Sequence, residues 1–270
     1  MKTSIVAALT VAVLAAGTVA DTSAPVPASA ATSSNVTTVA PKGNVVSNGR
    51  TWKQTHRQDF TTAAPVGKFA QKYPGVGLYD GFSDTSGKGR YTPSKVLSVH
   101  DGALDFWLRS DRGQPMSAAV MPDGYKPHRT GRVSIRYKTT KTPGYKFVAI
   151  LWPSSDNWNE GEIDWPEAAL GAKPRPASAV PGSMTQRGMV FQPERETYAA
   201  TDTTGYHVAT TEWDAKVVRF YWDGKLVAST TKAVPTKPMR VTLQAETDIG
   251  VKTPTTASGH VNVDWITIYD

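Results

Sequence analysis

From Val45 onward, apolar and polar residues alternate in short runs separated by clusters of Gly, Pro, Asp and Ser. A period of two argues for strands, and no stretch sustains a 3.6-residue period over three turns. The runs predicted as strands are Lys95–His100, Ala103–Ser110, Gly131–Thr139, Lys146–Trp152, Gly161–Trp165, Gly188–Gln192, Tyr206–Trp213, Lys216–Trp222, Lys225–Thr230, Arg240–Glu246 and His260–Tyr269. Asp101-Gly102 and Asp223-Gly224 stand between neighbouring runs. Asp-Gly suits a type I′ turn, whose two central residues need positive φ, so hairpins are expected at both. Many antiparallel strands without helices predict an all-β, two-sheet antiparallel sandwich. No internal repeat is visible.

The chain before Val45 departs from this pattern. Residues 1–30 carry Lys2, an apolar run from Ile5 to Ala16 and then small residues, the layout of a secretory signal, with cleavage expected after Ala20 or Ala30. The second site is favoured because the stretch after it suits a free, solvated N-terminus. The apolar run falls short of the ~20 residues of a membrane span, so an exported protein without a membrane anchor is expected. Residues 31–44, rich in Ala, Ser, Thr and Pro, read as a flexible linker, which leaves 45–270 as one catalytic-size domain. With 270 residues, 39% of them apolar, the chain can bury one large core.

The net charge of +7 is spread along the chain with no dense Lys/Arg block, which argues against a nucleic-acid partner. There is no cysteine, so thiol catalysis and thiolate metal sites are excluded. The five histidines show no metal-ligand spacing, and none sits in a nucleophile-elbow context with a serine. His207 is expected to be a structural hydrogen-bonding residue.

Negative charge is concentrated where a buried strand is expected, in Gly161-Glu162-Ile163-Asp164-Trp165-Pro166-Glu167. Alternation puts Glu162 and Asp164 on one face and Ile163 and Trp165 on the other. Glu167, five positions after Glu162, falls on the wrong side unless one extra residue is inserted as a bulge, and Pro166, lacking an N–H, is a residue that bulges tolerate. With four effective strand steps, the two glutamate Cα atoms would lie roughly 13 Å apart, and side chains leaning inward on a concave sheet can approach the separation of about 5–5.5 Å that a retaining glycosidase needs. That chemistry assigns Glu162 as nucleophile, Glu167 as acid/base and Asp164 as the residue that tunes the pair by its charge and its hydrogen bonds. A divalent-cation site or a merely solvated acidic face are the competing readings. Against the first, these carboxylates are too spread for one Ca²⁺; against the second, Ile163, Trp165 and Pro166 indicate a packed strand.

Sugar rings pack on aromatic faces, and the chain has eight tryptophans. Trp107, Trp213, Trp222 and Trp265 lie in apolar runs and are expected in the core. Trp152 and Trp158 flank the loop leading into the acidic strand and are candidates for lining a cleft. Gln244 and Glu246 alternate away from Val241 and Leu243, so they are candidates for hydrogen bonds to sugar hydroxyls, with a solvent-facing outer surface as the other reading.

The run Leu151-Trp152-Pro153-Ser154-Ser155-Asp156-Asn157-Trp158-Asn159-Glu160-Gly161-Glu162-Ile163-Asp164-Trp165-Pro166-Glu167 resembles the signature of family 16 glycoside hydrolases, the laminarinase and lichenase group, in its bulged Glu-x-Asp-x-x-Glu form. Gly131-Arg132-Val133, Tyr206-His207-Val208, Glu212-Trp213, Phe220 to Lys225 and the closing Val263 to Tyr269 are similar to further elements of that family, so the resemblance spans about residues 50–270. It implies a curved, concanavalin-like β-jelly roll whose concave face is an open cleft cutting within a polysaccharide. Cleavage would proceed with retention at Glu162, Asp164 and Glu167 and require no cofactor. It also implies a candidate structural calcium at Asp264. A monomer acting on a polysaccharide is expected, with β-1,3- or mixed-linkage β-1,3-1,4-glucan as the leading substrate. Related sequences often carry a histidine where Ser183-Met184-Thr185-Gln186 stands, so galactans and net transglycosylation remain open. The alternatives from other classes are a non-catalytic, lectin-like sandwich, which would not need both glutamates, and a cell-surface structural protein on an Ala/Ser/Thr/Pro stalk.

Overall fold

The computed structural model describes residues 38–270 apart from 183–188, 190, 194 and 195. The expected signal segment, half of the linker, part of the strand at 188–192 and the 183–186 departure lie outside the described residues. The strands are β1 (Val45–Ser47), β2 (Arg50–Trp52), β3 (Gln54–Gln58), β4 (Gly77–Leu78), β5 (Arg90–Tyr91) and β6 (Leu97–His100). They continue with β7 (Ala103–Asp111), β8 (Gln114–Met121), β9 (Gly131–Thr139), β10 (Tyr145–Pro153), β11 (Glu162–Ala169) and β12 (Arg175–Ala179). The last five are β13 (His207–Trp213), β14 (Val218–Trp222), β15 (Lys225–Thr230), β16 (Met239–Thr247) and β17 (Ser258–Tyr269).

One sheet runs β12-β11-β10-β16-β8, with β4 beyond β8; the other runs β7-β17-β9-β13-β14-β15, with β6 on β7 and β3 on β17. Their common hairpin, β7–β8, turns at Arg112-Gly113, both at positive φ. All these pairings are antiparallel except β5 on β8. Between the sheets lie Leu104, Phe106 and Leu108 of β7, Ile135 and Tyr137 of β9, Phe147, Ala149 and Leu151 of β10, and Val241, Leu243 and Ala245 of β16. Every one of these sets is spaced by two, which is why alternation revealed the strands. In β17 the set is Val261, Val263, Ile266 and Ile268. The period slips once because a bulge falls between Val263 and Trp265.

Both Asp-Gly turns have the expected geometry, with φ of 52° and 74° at Asp101-Gly102 and 49° and 78° at Asp223-Gly224. The run at Lys95 begins as a short helical turn, Pro93–Val96, because Pro93 supplies the φ of a first helical residue; the strand starts at Leu97. β1 to β5, β8 (QPMSAAVM) and β12 (RPASA) are absent from the predicted runs. β8 and β12 contain proline and alanine, with Val120 the single β-branched residue of the two, and their place in the sheet comes from their neighbours and not from local preference.

Candidate active site

The acidic strand is entered through a 3₁₀ turn, Trp158–Glu160, capped by the Asn157 side chain, and then through Gly161. Gly161 has φ +115°, and a Cβ there would sit 2.8 Å from Pro235 and 3.0 Å from the Ala179 carbonyl, so only glycine fits. Along β11, Glu162 faces Ala179, Asp164 faces Ala177 and Glu167 faces Arg175. β11 advances three residues where β12 advances two, and β10 records the same slip, with Ile150 opposite Asp164 and Val148 opposite Glu167. The extra residue falls at Trp165-Pro166, as expected, and returns Glu167 to the face of Glu162 and Asp164. On the opposite face Ile163 and Trp165 enter the core. The Trp165 indole donates to the Tyr221 carbonyl at 3.0 Å and packs edge-on against Phe220 and Trp222, which pins the strand to the other sheet.

The three acids are held in different electrostatic states. Glu162 accepts a 2.5 Å hydrogen bond from the Trp158 indole. Burial raises its carboxyl to about 7, with the Glu167 charge adding to the rise and the Trp158 and Asp164 hydrogen bonds opposing it. Asp164 is 5% exposed, and burial, followed by the charges of Glu162 and Glu167, lifts it well above the ordinary carboxylate range. The hydrogen bond between the two carboxyls favours a proton on Asp164 and ionisation of Glu162.

Glu167 accepts from Lys146 Nζ at 3.1 Å, and the same ammonium lies 3.3 Å from Glu246. Burial works against the charge on Lys146, but Glu246 and Glu167 outweigh it and raise the ammonium above its usual range. Sequence reasoning missed Lys146. The signal was present, since alternation puts it on the face of Val148, Ile150 and Trp152, where a lone cation in an apolar strand needs a partner.

Trp158 is brought directly onto Glu162, and Trp152 shares the face of the acids, opposite Arg240 on β16. Gln244 and Glu246 lie on the predicted face but are not open to a ligand. Gln244 donates to Thr85 Oγ1 at 3.1 Å, and Glu246 accepts from Tyr91 Oη at 2.8 Å and from the Thr85 N–H at 3.2 Å. A hairpin covers them, which alternation along β16 could not reveal. His207 is structural: Nδ1 meets Asp223 at 2.7 Å and the ring stacks on Trp222. Trp213, Trp222 and Trp265 are buried, whereas Trp107 is half-buried on the outer surface beneath the Arg109 guanidinium.

Asp264, the candidate calcium ligand, sits at the bulge of β17 and is bound by the Arg136 guanidinium, which also lies over the Tyr206 ring. A divalent cation would have to displace one positive charge and accept another beside it, so these residues do not fit calcium. Among the described residues no group of three or more His, Asp or Glu is arranged to hold a metal.

A protein-family model described as "Glycosyl hydrolases family 16" matches residues 90–267. Among solved structures, the endo-β-1,3-glucanase from Pyrococcus furiosus superposes with a TM-score of 0.63 at 18% identity, covering 85% of this chain and 98% of its own. The laminarinase catalytic domain from Thermotoga maritima superposes at 0.61 with 20% identity, covering 81% and 98%. The laminarinase from Rhodothermus marinus gives 0.63 with 17% identity, covering 81% and 97%. At these identities the likeness is one of fold. Comparison with curated proteins finds no match.

Proposed function

The chain belongs to family 16 of the glycosyl hydrolases, and on that premise we propose that it is an exported, retaining β-glycanase acting on β-1,3- or mixed-linkage β-1,3-1,4-glucan. The observation that carries this reading is the bulge at Trp165-Pro166, which sets Glu162, Asp164 and Glu167 on one face. In the first step, ionised Glu162 attacks the anomeric carbon while Glu167 protonates the departing glycosidic oxygen, giving a covalent glycosyl-enzyme. In the second, Glu167 takes a proton from water, which attacks the same carbon and releases Glu162. Asp164, neutral and hydrogen-bonded to Glu162, orients the nucleophile and eases its ionisation.

Lys146 suits an acid/base that must gain and lose a proton within each cycle. When Glu167 is ionised the ammonium pairs with it; when Glu167 is protonated the ammonium still has the buried carboxylate of Glu246. The charge beside the acid/base therefore does not become an unpaired buried cation at either stage.

The test is to incubate the protein with laminarin, barley glucan and a galactan and follow reducing ends, with the anomer of the first product read by NMR. Release with retained configuration is expected, and it should vanish in Glu162→Gln and Glu167→Gln proteins whose circular dichroism is unchanged. Full activity of either variant, or an inverted product, would overturn the mechanism. Binding without release would favour the lectin reading. Export is tested separately, by the N-terminus of secreted protein, expected at Asp21 or Ala31.

A further inference from the structure

The sheet that carries the acids is not open across its width. All four β16 side chains on the face of the acids are buried: Arg240 at 3% exposure, Thr242 at 1%, Gln244 at 8% and Glu246 at 0%. What covers them is the segment from Tyr79 to Tyr91. Tyr79 Oη accepts from Arg240, Thr85 meets Gln244 and Glu246, and Tyr91 Oη donates to Glu246.

This segment is a built hairpin. Its arms pair through Gly81 N–H to Tyr91 O at 2.9 Å, Tyr91 N–H to Phe82 O at 2.9 Å and Asp84 N–H to Gly89 O at 3.0 Å. Its anchor is the buried Asp84 carboxylate, which accepts from Gly89 N–H, Ser86 Oγ, Ser117 Oγ, Thr247 N–H and Thr247 Oγ1, all between 2.7 and 3.1 Å. Tyr79, Phe82 and Tyr91 pack on one another above β16, with Phe82 45% exposed at the rim.

The two carboxylates of a glycosidase flank the scissile bond, and here they lie in line along β11, so the polymer must cross the strands. From β11 the sugar chain passes β10 and reaches β16 after two strand spacings, about 10 Å, the length of roughly two pyranose residues. We propose that the Tyr79–Tyr91 hairpin is the end wall of the substrate cleft, so that no more than two sugar residues are held on the β16 side of the scissile bond. The proposal rests on the glycanase reading and refines it: cuts fall one or two residues from one chain end instead of at random along the polymer.

The experiment uses β-1,3-linked glucose oligomers of three to seven residues, labelled at the reducing end, with mixed-linkage and galactan oligomers as further arms. With the wild-type protein, the hexamer is expected to be cut at a bond one or two residues from one end in preference to its middle bond by roughly tenfold or more. Phe82→Ala, which trims the rim, and Asp84→Ala, which frees the anchor, should move cuts inward; either suffices if the other fails to fold. Even cutting at all internal bonds by the wild type overturns the wall and leaves the glycanase reading intact. If nothing is cut, titration of the same oligomers still reads the cleft: affinity that stops rising once the β16 side is filled, and rises again in Phe82→Ala, supports the wall while sinking the glycanase. Absence of binding to any oligomer sinks both.

Discussion

Replacing Lys146 by methionine removes the ammonium from between two carboxylates while keeping most of the side-chain volume. Glu246 is the partner that matters for stability, since it is wholly buried and its second oxygen is already committed to Tyr91 and Thr85. At 3.3 Å and an effective dielectric near 20, the attraction lost is about 5 kcal/mol before desolvation is counted. Buried pairs broken from one side cost about 3–5 kcal/mol in practice, so the variant should lose that much at pH 7. Urea unfolding followed by circular dichroism at pH 7 measures the loss. Adding Glu246→Gln should return about 1–3 kcal/mol of the loss at pH 7, because the uncompensated charge is gone while an oxygen remains for Tyr91 and Thr85. A single variant that loses less than about 1 kcal/mol at pH 7, or a double variant no better than the single, would refute the charge bridge.

Other consequences can be checked independently. Glu162 must be ionised to attack, so kcat/KM should fall as the pH drops below about 7; Trp158→Phe, which removes a hydrogen bond favouring the ionised form, should move this limb to higher pH. His128 is buried between Asp123, 2.8 Å from Nε2, and Asp270, 2.6 Å from Nδ1. Burial opposes its charge, but the two carboxylates prevail and raise its pKa. A raised histidine contributes stability that is fully present below the unfolded value of 6.5 and is lost as the pH climbs through the folded one. His128→Gln should therefore cost more in thermal melts at pH 5.5 than at pH 9, and an equal cost at both would refute the clamp. With Arg136 on Asp264, millimolar CaCl2 or EDTA should leave the Tm of the wild type unchanged, and a calcium-dependent rise would show that a metal displaces the guanidinium.

The acidic strand was legible because everything that defines it is local. Period-two alternation fixes the faces of Glu162 to Trp165, and a proline where a bulge is needed fixes the side of Glu167. Lys146 and Glu246 are one hundred residues apart, and their meeting depends on the β10–β16 register, which no local pattern in either strand contains. The two Asp-Gly hairpins were legible for the same local reason, whereas β12, although it lies next to the acids, carries Pro and Ala in a five-residue edge strand and gives no such signal.

Gln244 and Glu246 show where parity reasoning stops. Alternation correctly places them on the face of the acids, but a face is a direction, and whether it meets solvent, substrate or another segment depends on what the rest of the chain puts above it. Here the cover is a hairpin whose tip, Ser83 to Gly89, is rich in Gly, Ser, Thr and Asp and reads as a loop, and whose anchor, Asp84, is distant in sequence from every group it binds on β8 and β16. A polar residue on a strand has two ways to satisfy its hydrogen bonds, from a ligand or from the fold. Glu246 already has Tyr91, Thr85 and Lys146, so a sugar could gain its oxygens only by breaking bonds that hold the wall in place. Glu162 and Glu167 are the reverse case. Both are partly exposed, and among the described residues their hydrogen-bond partners outside the acidic strand are Trp158 and Lys146 respectively. What separates Glu246 from the two glutamates of β11 is thus the segment laid above it, since the Tyr79–Tyr91 hairpin closes over β16.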